Sequence, residues 1–174
     1  MAWDYYMGSL RWFHVIAGIT WIGILYYFNF IQTPSFKKMD AAARSNAIIN
    51  LVPLALWWFR YAALATFLAG TAWMLSRGVQ ITWDLYTDTS SFKSILVGAT
   101  IGTIMFLNVW VIIWPNQKKI IAATRATVEE GTPAPPDQPK WARTALLASR
   151  TNTLLSIPML FFMISSAHLG RLWD

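Results

Sequence analysis

The chain has only two histidines, and their positions suggest a specific chemistry. His14 and His168 fall in the first and the last long apolar segment of the 174-residue sequence. If four such segments cross a membrane in alternating directions, both imidazoles lie on the same side at similar depth. Ionisable residues inside a spanning helix are costly and usually mark function. Two imidazoles facing each other across a helical bundle are the ligand pair that a bis-histidine haem requires.

Several neighbouring residues are suited to line a haem pocket. Gly18 lies one helical turn from the first histidine and leaves room for a flat macrocycle, and Trp21 would form a wall on the same face. Ser165 would orient the second imidazole or face a propionate, while Arg11 and Arg171 would neutralise the propionates. The predicted cofactor-binding residues are therefore His14, His168, Gly18, Trp21, Ser165, Arg11 and Arg171.

The cysteine count limits which haem the chain can hold. There is no cysteine, which excludes disulfides, thiolate-ligated metals and the covalent attachment of a c-type haem. The prediction is one haem b at most, held by the two histidines as ligands of its iron. The alternative is that each histidine is interfacial or hydrogen-bonded between helices.

Composition places the chain among membrane proteins. It is 56% hydrophobic and 13% charged, with a mean hydropathy of +0.41, whereas soluble domains carry about 25% charged residues. The net charge of +6 does not indicate nucleic-acid binding, because the basic residues lie between apolar segments. Membrane lipid is the expected surrounding.

Four apolar segments have the roughly 20 residues needed to span about 30 Å of hydrocarbon. They cover approximately 10–30, 51–75, 95–114 and 153–169, with a long loop at 115–143. The prediction is a single all-α membrane domain over 1–174, folded as a four-helix up-down bundle. Residues 117–128 could prolong the third helix, and residues 40–54 could lead into the second.

Basic residues favour one orientation of this bundle. The first and third connections carry most of the lysines and arginines, and such connections stay in the cytoplasm. Both termini and the middle connection then face the periplasm of a bacterial inner membrane.

A second polar set lies toward the cytoplasmic half. Its members are Arg60, Asn29, Gln32, Asn108, Asn116, Arg150 and Asn152. The favoured interpretation is interhelical hydrogen bonding by the amides, with Arg60 snorkelling toward the interface. The alternative is a polar pocket for an anion or a proton path. Small residues, including Thr66, Gly70, Gly98 and Gly102, favour close helix packing or a dimer face.

Three stretches of the sequence resemble a known family. Residues 11–23 (RWFHVIAGITWIG), 108–119 (NVWVIIWPNQKK) and 150–158 (RTNTLLSIP) resemble the membrane domain of the PuuD-type urate oxidase (urate hydroxylase) family. The opening stretch is more distantly similar to the membrane protoporphyrinogen oxidase and copper-resistance group, which includes haem b binders. Histidines of the family pattern match positions 14 and 168.

The resemblance implies an inner-membrane protein of electron transfer, with a cytochrome c or a quinone as partner. The full-length family carries a C-terminal cytochrome c domain, so this cysteine-free chain is expected to be a short form without it. If only one histidine binds iron, the resemblance implies an oxidoreductase component acting on urate or a porphyrin. The rival hypotheses are a haem-free accessory subunit of a respiratory or photosynthetic complex, a homo-oligomer, and a small transporter that uses Arg60.

Overall fold

The computed structural model describes residues 1–169 and 172–173, and every regular element in them is helical. Four helices are long and apolar enough to cross a membrane, which confirms the helical part of the predicted fold class. We call them the first to fourth long helices: Ala2–Phe36, Ala41–Ile81, Ser90–Glu129 and Gln138–His168. A short connecting helix, Trp83–Thr87, joins the second to the third.

Local signals set the helix boundaries between these elements. The second long helix begins after Asp40, whose carboxylate accepts a hydrogen bond from the Ala43 amide at 2.8 Å. The third begins after Thr89, whose hydroxyl accepts from the Phe92 amide at 3.0 Å. Both are standard N-caps, which satisfy amides that have no partner inside the helix. The second helix ends at Thr82, where φ reaches 64°.

The helices extend well beyond the apolar segments. The third long helix has 40 residues, or about 60 Å at 1.5 Å per residue, and it continues through 115–129. The sequence predicted a loop from 115 and left open that 117–128 prolong the helix, and the structure has the prolonged helix. The fourth begins at Gln138, so only 130–137 separates the two. Alanine, lysine, arginine and glutamine in 115–129 favour a helix in water. The extension is also packed, since Gln138 Nε2 donates to Thr124 Oγ1 at 3.2 Å.

Neighbouring long helices pack in antiparallel pairs. The first pairs with the second, where Tyr6 and Ser76 hydroxyls lie 3.2 Å apart. The third pairs with the fourth, where Gly98 lies against Met163. The first also contacts the fourth through the hydroxyls of Tyr26 and Ser156, 2.8 Å apart. Gly98 therefore serves packing within the chain.

Two π-helical segments interrupt the long helices at the same level of the bundle. They are Tyr27–Gln32 in the first long helix and Asn108–Ile113 in the third. Around them lies the hydrophobic core, which includes Leu25, Phe59 and Val109, each with at most 1% of its surface exposed. π-helical turns are rare and occur often at functional sites, so this level of the molecule is of interest for binding.

The connecting helix is held by aromatic packing. Tyr86 is buried, and its ring lies 4.9 Å from that of Phe92. Burial raises the pKa of Tyr86 above its usual value, while the charges of Arg77 and Arg11 lower it in part. Its hydroxyl is therefore neutral at physiological pH.

Candidate functional site

His14 makes a single directed contact with the second long helix. Its Nδ1 lies 2.8 Å from the backbone carbonyl oxygen of Thr66. Because a carbonyl oxygen only accepts, Nδ1 donates, and in the neutral imidazole Nε2 keeps its lone pair. Metal-binding histidines are commonly oriented in this way, by a hydrogen bond from the nitrogen that does not bind the metal.

Gly70 provides the space that this imidazole occupies. A Cβ atom built on Gly70 would lie 2.7 Å from both Cε1 and Nδ1 of His14, which is closer than real side chains approach. With any larger residue at this position, either the ring or the helix pair would have to shift. Gly18 is the residue that the sequence suggested as making room for a macrocycle, and a Cβ atom built on it would lie at an ordinary 3.7 Å from the Thr66 methyl group.

Arg11 lies on the same face of the first helix as His14. Its guanidinium carbon is 5.0 Å from the centre of the Trp73 ring, one turn from Gly70 on the second helix. The side chain of Arg11 is exposed, so its charge is accessible to an anionic group at this end. Arg11 and His14 therefore share one surface of the paired helices.

Trp21 belongs to the hydrophobic core. Only 3% of its surface is exposed, and its indole N–H is buried without a hydrogen-bond partner in the described residues. Trp21 packs between helices in the same cluster as Leu25 and Phe59.

The second histidine terminates the fourth long helix. His168 is the last residue of that helix and its side chain is exposed. Within residues 1–169 and 172–173, no hydrogen bond joins it to His14. Ser165 is buried, and its hydroxyl donates to the carbonyl oxygen of Phe161 at 2.6 Å. Arg171 lies outside the described residues.

The amides of the second polar set mostly join helices. Asn29 donates to Ser149 Oγ at 2.8 Å, and Asn108 donates to Asn152 Oδ1 at 3.0 Å. Asn152 is fully buried and also donates to the Met105 carbonyl oxygen at 3.0 Å. These bonds agree with the interpretation as interhelical hydrogen bonds.

Other members of that set lie apart. Asn116 donates to the Ile112 carbonyl oxygen of its own helix at 2.8 Å, and Arg150 is exposed. The Gln32 side-chain oxygen is buried without a partner in the described residues. The structure therefore divides the polar set instead of gathering it into one pocket.

Arg60 is surrounded by aromatic rings. Its guanidinium carbon lies 3.9 Å from the centre of the Trp114 ring, 4.7 Å from that of Tyr61 and 5.0 Å from that of Trp110. Such cation–π contacts contribute about 0.5–2 kcal/mol each, depending on exposure to water. This aromatic cage, as we call it, is distinct from the amide bonds.

An apolar groove runs along the outside of the first and second long helices. Its volume is about 520 Å³, and its lining is Leu10, Phe13, Tyr61, Leu64, Ala65, Leu68, Ala69 and Ala72. The groove extends from the aromatic cage, where Tyr61 belongs to both, toward the end of the bundle that carries His14.

Thr66 and Gly70 are the residues of the histidine site that sequence reasoning did not assign to it. The sequence placed them on a small-residue packing face. Their role depends on the register between the first and second helices, which brings positions 14 and 70 together. A glycine one turn after a threonine was the only signal available.

By its fold, the described part of the chain is an all-helical protein with four helices able to cross a membrane. A family model described as Urate oxidase N-terminal matches residues 78–173. Because the match covers more than half of the 174 residues, the chain belongs to this family, which confirms the resemblance to PuuD-type urate oxidases. His168 lies inside the matched region and His14 outside it. No curated protein and no solved structure matches the chain.

Proposed function

We propose that this protein spans a bacterial inner membrane and binds one haem b for electron transfer, as a relative of urate oxidase membrane domains. His14 and His168 would be the iron ligands. The observation that carries the proposal is the hydrogen bond from His14 Nδ1 to the Thr66 carbonyl oxygen, which leaves Nε2 available. Haem b, when bound, supplies a one-electron iron couple.

The exposed surface supports the location in a membrane. Large apolar side chains face outward on all four long helices, among them Ile19, Leu68, Val111 and Leu154, each more than half exposed. Such a surface would be unstable in water but is suited to lipid. The charge distribution favours periplasmic termini, which would bring a periplasmic cytochrome c or a membrane quinone within reach.

The surroundings of the first histidine support the proposal of a haem there. The Thr66 carbonyl fixes the tautomer and the ring orientation, and Gly70 provides the space for it. Arg11 would neutralise a propionate. His168 is exposed at the end of the fourth helix, so it would be the second histidine to hold the haem, with Arg171 three residues later in the sequence.

The test is the optical spectrum of the detergent-purified protein, oxidised and dithionite-reduced, with a pyridine haemochrome assay. We expect a low-spin b-type spectrum near one haem per chain, lost in His14→Ala and in His168→Ala. Tyr6→Phe, which removes a hydroxyl at the same end without touching either histidine, should leave it unchanged.

Two outcomes would change the assignment. A spectrum that survives His168→Ala but not His14→Ala would leave one histidine ligand and an open iron position. A colourless protein from haem-replete cells would contradict the proposal and favour a haem-free accessory subunit, to be sought by co-purification of fixed partners.

A further inference from the structure

Arg60 is the one lysine, arginine, aspartate or glutamate in the apolar stretches 12–36, 45–76, 94–117 and 151–167 of the sequence. A cation at such a position is costly unless it has a partner or reaches water. Arg60 therefore requires an explanation that packing alone does not give.

Within the described part of the chain, no side chain or carbonyl accepts a hydrogen bond from Arg60, and the salt bridges there do not include it. Its Nε is buried among the rings without a partner. The terminal nitrogens are not among these fully buried atoms, and Arg60 as a whole is partly exposed. A guanidinium presents a planar fork of donors that matches a phosphate or a carboxylate.

The level of Arg60 in the bundle points to a lipid headgroup. Trp57 and Trp58 are about half exposed beside it, and Trp114 covers it. Exposed tryptophans mark the headgroup level of a membrane. Lys118 follows Trp114 by one helical turn, at the end of the bundle that carries most of the lysines and arginines. Basic sites between helices on that side attract anionic lipid headgroups.

The apolar groove lies where an acyl chain of that lipid would run. From Tyr61 to Ala72 it covers eleven helical steps, about 16 Å, and its lining over that length is apolar, as contact with an acyl chain requires. Leu64, one turn from Arg60, lines the groove. The Arg60 guanidinium thus lies at one end of the apolar groove.

We propose that the aromatic cage and the apolar groove bind an anionic phospholipid of the cytoplasmic leaflet. The phosphate would accept hydrogen bonds from the Arg60 guanidinium, and one acyl chain would lie in the groove. The proposal rests on the membrane location proposed above and is independent of haem.

The experiment is native mass spectrometry of the detergent-purified full chain with dioleoyl phosphatidylglycerol or dioleoyl phosphatidylcholine. We expect phosphatidylglycerol to bind at least tenfold more tightly, because the zwitterionic choline headgroup offers the cation less net attraction. Arg60→Gln should lower the affinity for phosphatidylglycerol about tenfold, as expected for the loss of a charge-assisted hydrogen bond. The affinity of Arg60→Lys should lie between those of the unaltered protein and Arg60→Gln, since lysine keeps the charge but loses the planar fork of guanidinium donors.

Arg44→Gln is the matched control, since Arg44 is an exposed arginine on the same helix and the same side. It should leave lipid binding unchanged. Glycerol 3-phosphate, which has no acyl chains, should not bind, and its binding would indicate a site for free phosphate compounds instead.

Equal affinity of the unaltered protein for the two lipids would overturn the proposal, and so would equal losses in Arg60→Gln and Arg44→Gln. The lipid comparison needs no variant, so a folding defect in Arg60→Gln does not remove the test. Absence of the protein from cell membranes would instead contradict the proposed location, and a missing haem spectrum would contradict only the haem assignment.

Discussion

At the scale of residues, His14 depends on two positions of a different helix. The Thr66 carbonyl orients the imidazole and Gly70 admits it. The Thr66 hydroxyl takes no part in this contact, because it donates to the Ala62 carbonyl oxygen at 2.7 Å. The backbone of the second helix, and not its side chains, therefore sets the direction of the ring.

Gly70→Ala tests this arrangement. The added methyl group would meet the imidazole at 2.7 Å, so either the ring or the helix pair must shift. We expect a loss of about 1–3 kcal/mol in stability, as is typical of overpacking, together with a changed or lost haem spectrum. Thermal unfolding in detergent, followed by circular dichroism, measures the stability.

Gly102→Ala is the control for that change. Gly102 lies inside the third helix, and its nearest neighbour to an added Cβ is Met159 Cγ at an ordinary 3.9 Å. The substitution should change stability little or raise it, since alanine favours a helix more than glycine does. Equal destabilisation by both substitutions would show that Gly70 has no special relation to His14.

The sequence alone identified His14 but not what holds it. A histidine in an apolar helix is rare enough to be recognised by its type. Thr66 and Gly70 become part of the site only through the register of two helices whose contacts are distant in sequence. The two histidines could be placed on one side of the bundle, but the structure leaves His168 exposed at a helix end.

At the scale of elements, the fourth long helix is hydrogen-bonded to both π-helical segments. Ser149 accepts from Asn29 of one segment, and Asn152 accepts from Asn108 of the other. The residues sit one turn apart on the same helix, so this helix joins the first and third at a single level.

Asn152→Ala should weaken that junction. Asn152 is fully buried and bonds to both Asn108 and the Met105 carbonyl oxygen, so its removal leaves buried polar groups without partners. We expect a loss of about 1–2 kcal/mol, measured by thermal or denaturant unfolding in detergent. Asn50→Ala, at an exposed asparagine, should stay within about 0.5 kcal/mol.

A double-mutant cycle with Asn108→Ala separates the pair from its surroundings. A coupling energy of about 0.6 kcal/mol or more, the average for hydrogen bonds inside membrane proteins, would support a direct contribution. Strictly additive losses would mean that the bond between the two amides contributes nothing to stability.

The long helices were predictable in number and order. Their lengths were not fixed by the sequence, which offered residues 117–128 and 40–54 only as possible extensions. Hydropathy recognises the part of a helix that lipid would cover, and it stops near Trp114. The continuation to Glu129 depends on intrinsic helix propensity and on packing against the start of the fourth helix, where Lys119 lies 5.5 Å from the Trp141 ring centre. Neither helix propensity nor this packing can be recognised from the pattern of apolar residues.

At the scale of the whole molecule, charge is distributed unequally between the two ends. The connections at residues 37–44 and 118–150 carry nine lysines and arginines, against four in the termini and the middle connection. This asymmetry predicts cytoplasmic first and third connections.

Single-cysteine labelling tests the orientation of the bundle in the membrane. Because the sequence has no cysteine, the unaltered chain is the unlabelled control. Asp88→Cys, in the exposed middle connection, should react with a membrane-impermeant maleimide in intact spheroplasts. Thr132→Cys, in the exposed turn after the third helix, should react only after permeabilisation. The reverse pattern would place the haem proposed at His14 on the cytoplasmic side.

The paired extension of the third and fourth helices has a practical consequence for imaging. The third helix is about 60 Å long, roughly twice the thickness of a hydrocarbon core. In the proposed membrane location, a two-helix stalk would therefore project from the bilayer and end in the short turn at 130–137. A folded partner domain spliced into that turn through continuous helices would inherit a fixed orientation. At 19.8 kDa, the protein is too small to align by itself in electron micrographs. The turn at 130–137 would then serve as an attachment point for added mass.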